Sequence, residues 1–146
     1  MNVVIVEDEA PAAERIISIM KKTGEPFVVQ GILESIEEAV EFFSWNHKTD
    51  LLFLDIELAD GKCFEIFNQV KVEAPIIFTS TNDQYALQAF KHFSIDYLLK
   101  PIQQEDVNKS LEKWRRITSN KASFITDQVV HLKDWSKKEL QKPKER

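Results

Sequence analysis

Four short apolar runs in this chain each end on residues able to do chemistry. VVIV is followed by Glu7 and Asp8, LLFL by Asp55, IIF by Thr79, Ser80 and Thr81, and YLL by Lys100 with Pro101 behind it. Carboxylates gathered at close range raise each other's pKa. A divalent cation removes that penalty, and Mg²⁺ takes oxygen ligands while keeping several waters. An Asp carboxylate can also act as a nucleophile toward phosphorus. Phosphoryl transfer is mainly positioning and neutralisation of charge on the equatorial oxygens. In such a site the cation meets one oxygen, Lys100 meets another as a point charge, and the Ser80 hydroxyl meets a third. Zinc chemistry is not indicated: His47, His92 and His131 are scattered, and Cys63 is the single cysteine.

Each of these residues also has a plain structural reading. Asp8 and Glu9 could cap a helix. Ser80 could start a turn, Lys100 could be a solvated loop residue held extended by Pro101, Tyr97 could be a core aromatic, and Cys63 reads as a small packing residue. Their joint placement after four different strands favours phosphoryl chemistry over an unspecified metal or anion site, and the second reading stays open at this point.

The elements that must position them alternate regularly. NVVIV (2–6) reads as a strand, and PAAERIISIMKK (11–22) as a helix with Pro11 in its first turn and Ala12, Ile16, Ile19 and Met20 on one face. FVVQGI (27–32) is a second strand. Ser35 with Glu38 is a capping-box signature for a helix through Trp45. LLFLD (51–55) is a continuous apolar run of the kind buried on both faces. Asp60-Gly61 marks a turn. Phe64, Phe67 and Val70 give the next helix its apolar face, PIIFTS (75–80) is a fourth strand, and Asp83 can cap a helix carrying Tyr85, Leu87, Ala89 and Phe90. IDYLL (95–99) is a fifth strand. Residues 103–118 make a last helix with Val107, Leu111, Trp114 and Ile117 inward. Five βα units with right-handed crossovers predict an α/β fold, a doubly wound five-stranded parallel sheet. Sites in such sheets form beyond the carboxyl ends of the strands, where the candidate residues fall.

Composition narrows the class. The chain has 146 residues and is 43% apolar, enough for one domain with a sizeable core. No run of 18 apolar residues suggests a membrane span, the first residues do not form a secretory signal, and the lone cysteine suits a reducing cytoplasm. Residues 1–120 carry 20 acids and 12 bases, and residues 121–146 carry 4 acids and 7 bases. The acidic body gives no electrostatic support for nucleic-acid contact. The tail reads as a solvated extension or linker, with an apolar stretch FITDQVVHL (124–132) before a charged end, KKELQKPKER.

VIVEDE (4–9), LLFLDIELADG (51–61), IIFTST (76–81) and DYLLKPI (96–102) together resemble the response-regulator receiver family of two-component phosphorelays. The likeness spans residues 1 to about 118. It implies the flavodoxin-like (βα)5 fold, also called CheY-like, with strand order 2-1-3-4-5. Carried onto these positions, the family pattern makes Asp55 the phosphoacceptor. Asp8 would ligate Mg²⁺ directly, Glu7 through water, and Glu57 by its backbone carbonyl. Ser80 matches the switch hydroxyl, Tyr97 the aromatic switch position and Lys100 the family lysine. Thr79 lies one residue too early for the switch role. Thr81 stands beside the phosphoryl where many members have Ala or Gly, and Ala59 where many have Pro.

The resemblance implies a sensor histidine kinase or a small phosphodonor as partner, no membrane contact, and a homodimer through the fourth helix, fifth strand and fifth helix. FTST-DQYALQAF and IDYLLKPI look like receivers of the LytR/AlgR type, which usually precede a LytTR DNA-binding domain. The 26 residues after position 120 are too few for one, so the chain is either a stand-alone receiver or part of a longer regulator. A degenerate receiver that binds proteins without phosphorylation is the alternative function. A free-standing hydrolase on the same scaffold is a third, with no separate substrate pocket to suggest it.

Overall fold

In the computed structural model, residues 1–119 are described. The main sheet has five parallel strands: β1 (Asn2–Val6), β2 (Val28–Leu33), β3 (Leu51–Asp55), β6 (Ile76–Ser80) and β7 (Ser94–Leu99). They lie in the order β2-β1-β3-β6-β7, which is 2-1-3-4-5 when only the main strands are counted. Between β3 and β6 a two-residue hairpin, β4 (Glu57–Leu58) and β5 (Gly61–Lys62), forms a separate antiparallel pair. Its turn is the Asp60-Gly61 signal, with Gly61 at φ +140°, a region that favours glycine. Strands this short carry no periodicity, so the sequence marked only the turn.

Burial alternates along the strands as a doubly covered sheet requires. Val3, Ile5, Leu51, Phe53 and Ile77 pack against α1 (Ala10–Lys22) and α5 (Gln104–Ser119). Val4, Val6, Leu52, Leu54, Ile76 and Phe78 face the other way, toward α2 (Ile36–Phe43), α3 (Phe64–Gln69) and the single turn of α4 (Ala86–Ala89). The β3 residues Leu51–Asp55 are all buried, as the continuous apolar run predicts. In α1 it is Ala13, not Ala12, that is buried beside Ile16, Ile19 and Met20. In α5 Val107, Leu111 and Ile117 are buried, and Trp114 is partly buried with its indole N–H donating to the Asp50 carbonyl (2.8 Å).

The caps differ in detail from expectation. Ser35 accepts from the Glu38 backbone N–H (3.1 Å), but the Glu38 carboxylate reaches the N–H of Glu34, one residue beyond the reciprocal partner of a capping box. Asp60 instead supplies the second cap of α2, accepting from the N–H groups of Ile36 and Glu37. Before α4 the cap is Asn82, whose side chain accepts from Gln84 N–H (2.8 Å), while Asp83 sits inside a 3₁₀ turn, Asp83–Tyr85. Asn82 itself has the extended backbone that an N-cap needs, whereas Asp83 already lies in the turn. Leu87 faces solvent rather than the core. No helix among the described residues is long and apolar enough to cross a membrane.

Asp96 is a buried carboxylate in the middle of β7. It accepts from the Tyr97 backbone N–H (3.0 Å) and from the Ser110 hydroxyl (2.7 Å), and pairs with Lys113 (3.6 Å), tying β7 to α5. Buried polar groups persist only when so satisfied, and hydrogen bonds to charged groups are the stronger kind. Asp96→Ala is expected to lower unfolding stability by about 2–3 kcal/mol. In urea titrations the midpoint should fall with an unchanged slope; an unchanged midpoint would show the network to be idle.

Candidate functional site

The parallel register brings the strand-end residues to one rim. Asp55 is level with Thr79 across β3 and β6, and Ser80 with Leu99 across β6 and β7. Lys100 follows directly, its backbone N–H donating to the Ser80 carbonyl (2.8 Å). On the other flank β1 runs into Glu7, whose N–H donates to the Leu33 carbonyl of β2 (2.8 Å). Residues 93 and 45 positions apart in the chain thereby meet. The Lys100 ammonium donates to Glu7 Oε1 at 2.5 Å and to Asp55 Oδ2 at 3.2 Å.

Glu7, Asp8 and Asp55 each offer a carboxylate oxygen, all within 4.8 Å of one another. Glu7 and Asp55 are buried and Asp8 is half-buried. Burial is the main reason all three hold their protons above the ordinary carboxylate range, and the proximity of Glu7 adds to it at Asp8, that of Asp55 at Glu7. Lys100 and hydrogen bonds pull Asp55 and Glu7 back without cancelling the burial cost. For Lys100 burial alone would favour the neutral amine, but the hydrogen bond to Glu7 and the charges of Asp55 and Glu7 together raise it. One ammonium cannot balance three carboxylates. The cluster contains only oxygen donors, with no His or Cys, so its residues fit a hard divalent cation.

The helix-cap reading of the acidic pair can be checked directly. Glu9 occupies the N-cap position of α1 and its side chain caps nothing. The Glu7 carboxylate turns toward the rim, accepting from the Glu9 N–H (3.3 Å) besides Lys100. These acids therefore face one another rather than the helix.

The remaining predicted residues lie around this cluster. The Asp55 carboxylate also accepts from the Glu57 backbone N–H (3.4 Å), while the Glu57 side chain is exposed and pairs with Lys62 (3.3 Å). Ser80 is buried, and its hydroxyl accepts from Asn82 N–H (3.0 Å) rather than touching Asp55. Thr79 is buried in β6 and Thr81 is exposed at the rim. Tyr97 is buried, with its hydroxyl donating to the Asn82 carbonyl and its proton held above the ordinary tyrosine range, chiefly by burial. The buried Cys63 lies beneath the hairpin, its N–H donating to the Ile56 carbonyl, and burial pushes its thiol far up; it is a packing residue. His47 stacks on Phe42 and His92 on Phe67, both away from the acids.

Two neighbours escaped the sequence reading. Asn82 receives the Tyr97 hydroxyl and caps the 3₁₀ turn; an Asn at that position was its only signal. Lys62 lies 5.1 Å from the Tyr85 ring centroid and bridges the hairpin to that turn, a contact between distant segments that no local pattern announces.

Comparison with known proteins agrees with this architecture. A family model of the response regulator receiver domain matches residues 3–112. The chain is 36% identical over 119 residues to the sensory transduction protein LytT of Bacillus anthracis, covering 80% of this chain and 48% of that one. Over 134 residues it is 34% identical to LytT of Bacillus subtilis (90% and 54%). Over 135 residues it is 30% identical to the transcriptional regulatory protein LytR of Staphylococcus aureus (88% and 54%). The chain thus spans about half the length of the curated relatives it matches. Among solved structures it resembles the response regulatory domain of mrkE from Klebsiella pneumoniae, with TM-score 0.67 and 28% identity over 80% of this chain and 99% of that one. It also resembles a two-component response regulator from Clostridium difficile, with TM-score 0.65 and 25% identity over 82% and 99%. With the matched family model covering most of the five βα units, this chain belongs to the response-regulator receiver family and is a receiver domain of two-component signalling, similar to those of LytT and LytR.

Proposed function

We propose that this domain accepts a phosphoryl group on Asp55 and, so modified, controls an output element. The observation that carries the reading is the Lys100 ammonium held between Glu7 and Asp55 at the edge of an acidic cluster. In the reaction an Asp55 carboxylate oxygen attacks phosphorus. The new O–P bond forms as the P–N bond of a kinase phosphohistidine, or the P–O bond of an acyl phosphate, breaks. The leaving group departs with the bonding electrons, and an imidazole leaving group is protonated as it goes. Lys100 gives up part of its bond to Asp55 and stays charged beside the transferred oxygens. Ser80 exchanges its bond with Asn82 for one to the phosphoryl.

Asp8, the Asp55 carboxylate, the Glu57 carbonyl and, through water, Glu7 would hold Mg²⁺, which when bound supplies positive charge to a phosphoryl oxygen. Thr81 at the rim screens the acyl phosphate from attacking water. The activity is self-modification and self-dephosphorylation, not turnover of a metabolite. A sensor histidine kinase, or a small phosphodonor, is the source, and the domain acts in the cytoplasm. The domain comprises residues 1–120, and residues 121–146 connect it to its output. By analogy with LytR, a transcriptional regulatory protein, the output we propose is a DNA-binding domain.

Because Ser80, Asn82 and Tyr97 form one chain of contacts, drawing Ser80 toward Asp55 changes what holds Tyr97 and the turn before α4. Phosphorylation then favours one arrangement of α4, β7 and α5 by its differential contacts, and that face is where a second copy would pair.

Incubation with acetyl phosphate and Mg²⁺ should add the mass of one phosphoryl group to the wild type and none to Asp55→Asn; retention of the gain in the variant would exclude Asp55. In cation-free protein the raised Glu7, Asp8 and Asp55 mean that the folded state binds protons more tightly than the unfolded one. The contribution of these three groups to stability is therefore greatest below the ordinary values of 3.8 and 4.5 and falls as pH rises through the raised ones. Asp8→Asn should relieve this at pH 7.5 but not at pH 3. The relief is discounted for the exposure of Asp8 to no more than about 1 kcal/mol, or about 2–5 °C in Tm for this size. Mg²⁺ should raise the wild-type Tm more at pH 8 than at pH 5, and leave Asp8→Asn nearly unmoved. Light scattering should report a larger particle with Mg²⁺ and beryllofluoride than without; a monomer in both states would remove the dimer.

A further inference from the structure

A groove of about 980 Å³ runs between α2 and α3, away from the phosphoryl site. Its apolar lining comes from Leu33, Val40, Phe42 and Trp45, and Trp45 is 68% exposed. Around these stand five carboxylates, Glu37, Glu38, Glu41, Asp60 and Glu65, and among the described residues no Lys or Arg lines the cavity. The Trp45 indole N–H donates to Glu41 Oε1 (3.4 Å), leaving the ring to offer apolar area beside an acidic rim, and that combination fits a cationic occupant with apolar side chains.

The chain carries such a segment. Residues 121–146 hold FITDQVVHL, then Trp135 and a Lys/Arg-rich end, with 7 bases against 4 acids. The last turns of α5, which ends at Ser119, lie beside the start of β3. Trp114 bonds Asp50 (2.8 Å), and Asp50 is three residues from His47, which lines the groove beside Trp45. A second cavity of about 400 Å³ shares Trp45 and His47 and includes Lys48, Thr49 and Ala74, extending the depression toward that end. From Ser119 to His47 the path is at most about 30 Å, counting the remaining helical rise and the extended chain. Roughly nine extended residues span it, leaving the rest of the segment to fill the groove. A tethered segment also acts at an effective concentration on the millimolar scale, so weak complementarity suffices.

We propose that the α2–α3 groove is the docking site of the chain's own C-terminal segment, residues 121–146, seated by its apolar side chains and held by Lys and Arg on the acidic rim. The reading does not depend on Asp55 phosphorylation. Seated there, the segment touches Asp60, which caps α2 from the hairpin just after Asp55, so the groove adjoins the acceptor loop.

The test uses the full chain labelled with ¹⁵N and a nitroxide on Ser136→Cys; Cys63 is buried and stays unlabelled. Amide signals of α2 and α3, Glu37, Glu41, Glu65 and Gln69 among them, should lose intensity while those of α1 do not. The loss should recede in Glu37→Lys/Glu65→Lys, whose β3 signals report an intact fold. It should also recede as salt rises from about 0.05 to about 0.5 M, where the screening length falls severalfold. Absence of the loss, a loss spread evenly over the domain, or a loss unchanged by charge reversal and salt would overturn the proposal. A loss seen equally when nitroxide-labelled ¹⁴N chain is mixed with unlabelled ¹⁵N chain would overturn it too, making a second copy the occupant.

Discussion

The rim is organised by an imbalance of charge in a place with little water. Glu7 and Asp55 are buried beside Asp8, and among the described residues the one ammonium that reaches them, on Lys100, is itself mostly covered. Burial pushes each of these groups toward its neutral form; the contacts between opposite charges hold the lysine protonated and only partly restore the acids. A cluster left in this condition gains from any cation or from a change that spreads its charge. The same imbalance that is costly in the free domain is one that a hard divalent cation would relieve.

Placing that lysine falls to β7. Its backbone follows Leu99 out of the sheet and is fixed by the bond from Lys100 N–H to the Ser80 carbonyl, while Asp96 anchors the strand to α5 through Ser110 and Lys113. β1 and β3 contribute their acids from strands whose apolar residues are all buried, so neither can slide without exposing core. A one-residue slip would turn every side chain to the wrong face. Rigid central strands and an anchored edge strand thus hold three groups within hydrogen-bond reach, although Glu7 and Lys100 are 93 residues apart.

Much of this was legible because long-range geometry is implied by a repeated unit. Once five βα units are read, the ends of their strands must share an edge, and Glu7, Asp55 and Lys100 follow. Features set by tertiary neighbours were not legible. The β4–β5 hairpin has two residues per strand, too few for a pattern. Asn82 rather than Asp83 caps the 3₁₀ turn because Asn82 has the extended backbone that an N-cap needs. Asp96 breaks the apolar run of β7, yet nothing local says that Ser110 and Lys113 wait opposite it. Trp45 was read as the end of a helix; its exposure depends on how α2 lies against α3. The sequence assigns the Ser80 hydroxyl to a phosphoryl oxygen; that it also accepts from the Asn82 N–H is set by the turn that follows, which no local pattern announces.

The segment from Ser80 to Phe90 is the part of the domain that can change most cheaply. A single α-helical turn cannot be stable alone, and α4 has four residues behind a 3₁₀ turn of three. Ala86, Ala89 and Phe90 are what it buries, a small apolar area beside that of α1 or α5. Its entry is fixed by Ser80 through Asn82 N–H and by the Tyr97 hydroxyl on the Asn82 carbonyl, with Lys62 resting over Tyr85. Elements that rearrange are drawn from the low-stability end of a structure. Here that element is entered from Ser80, whose hydroxyl holds the Asn82 N–H, whereas β1 and β3 are fixed by apolar residues buried in the sheet.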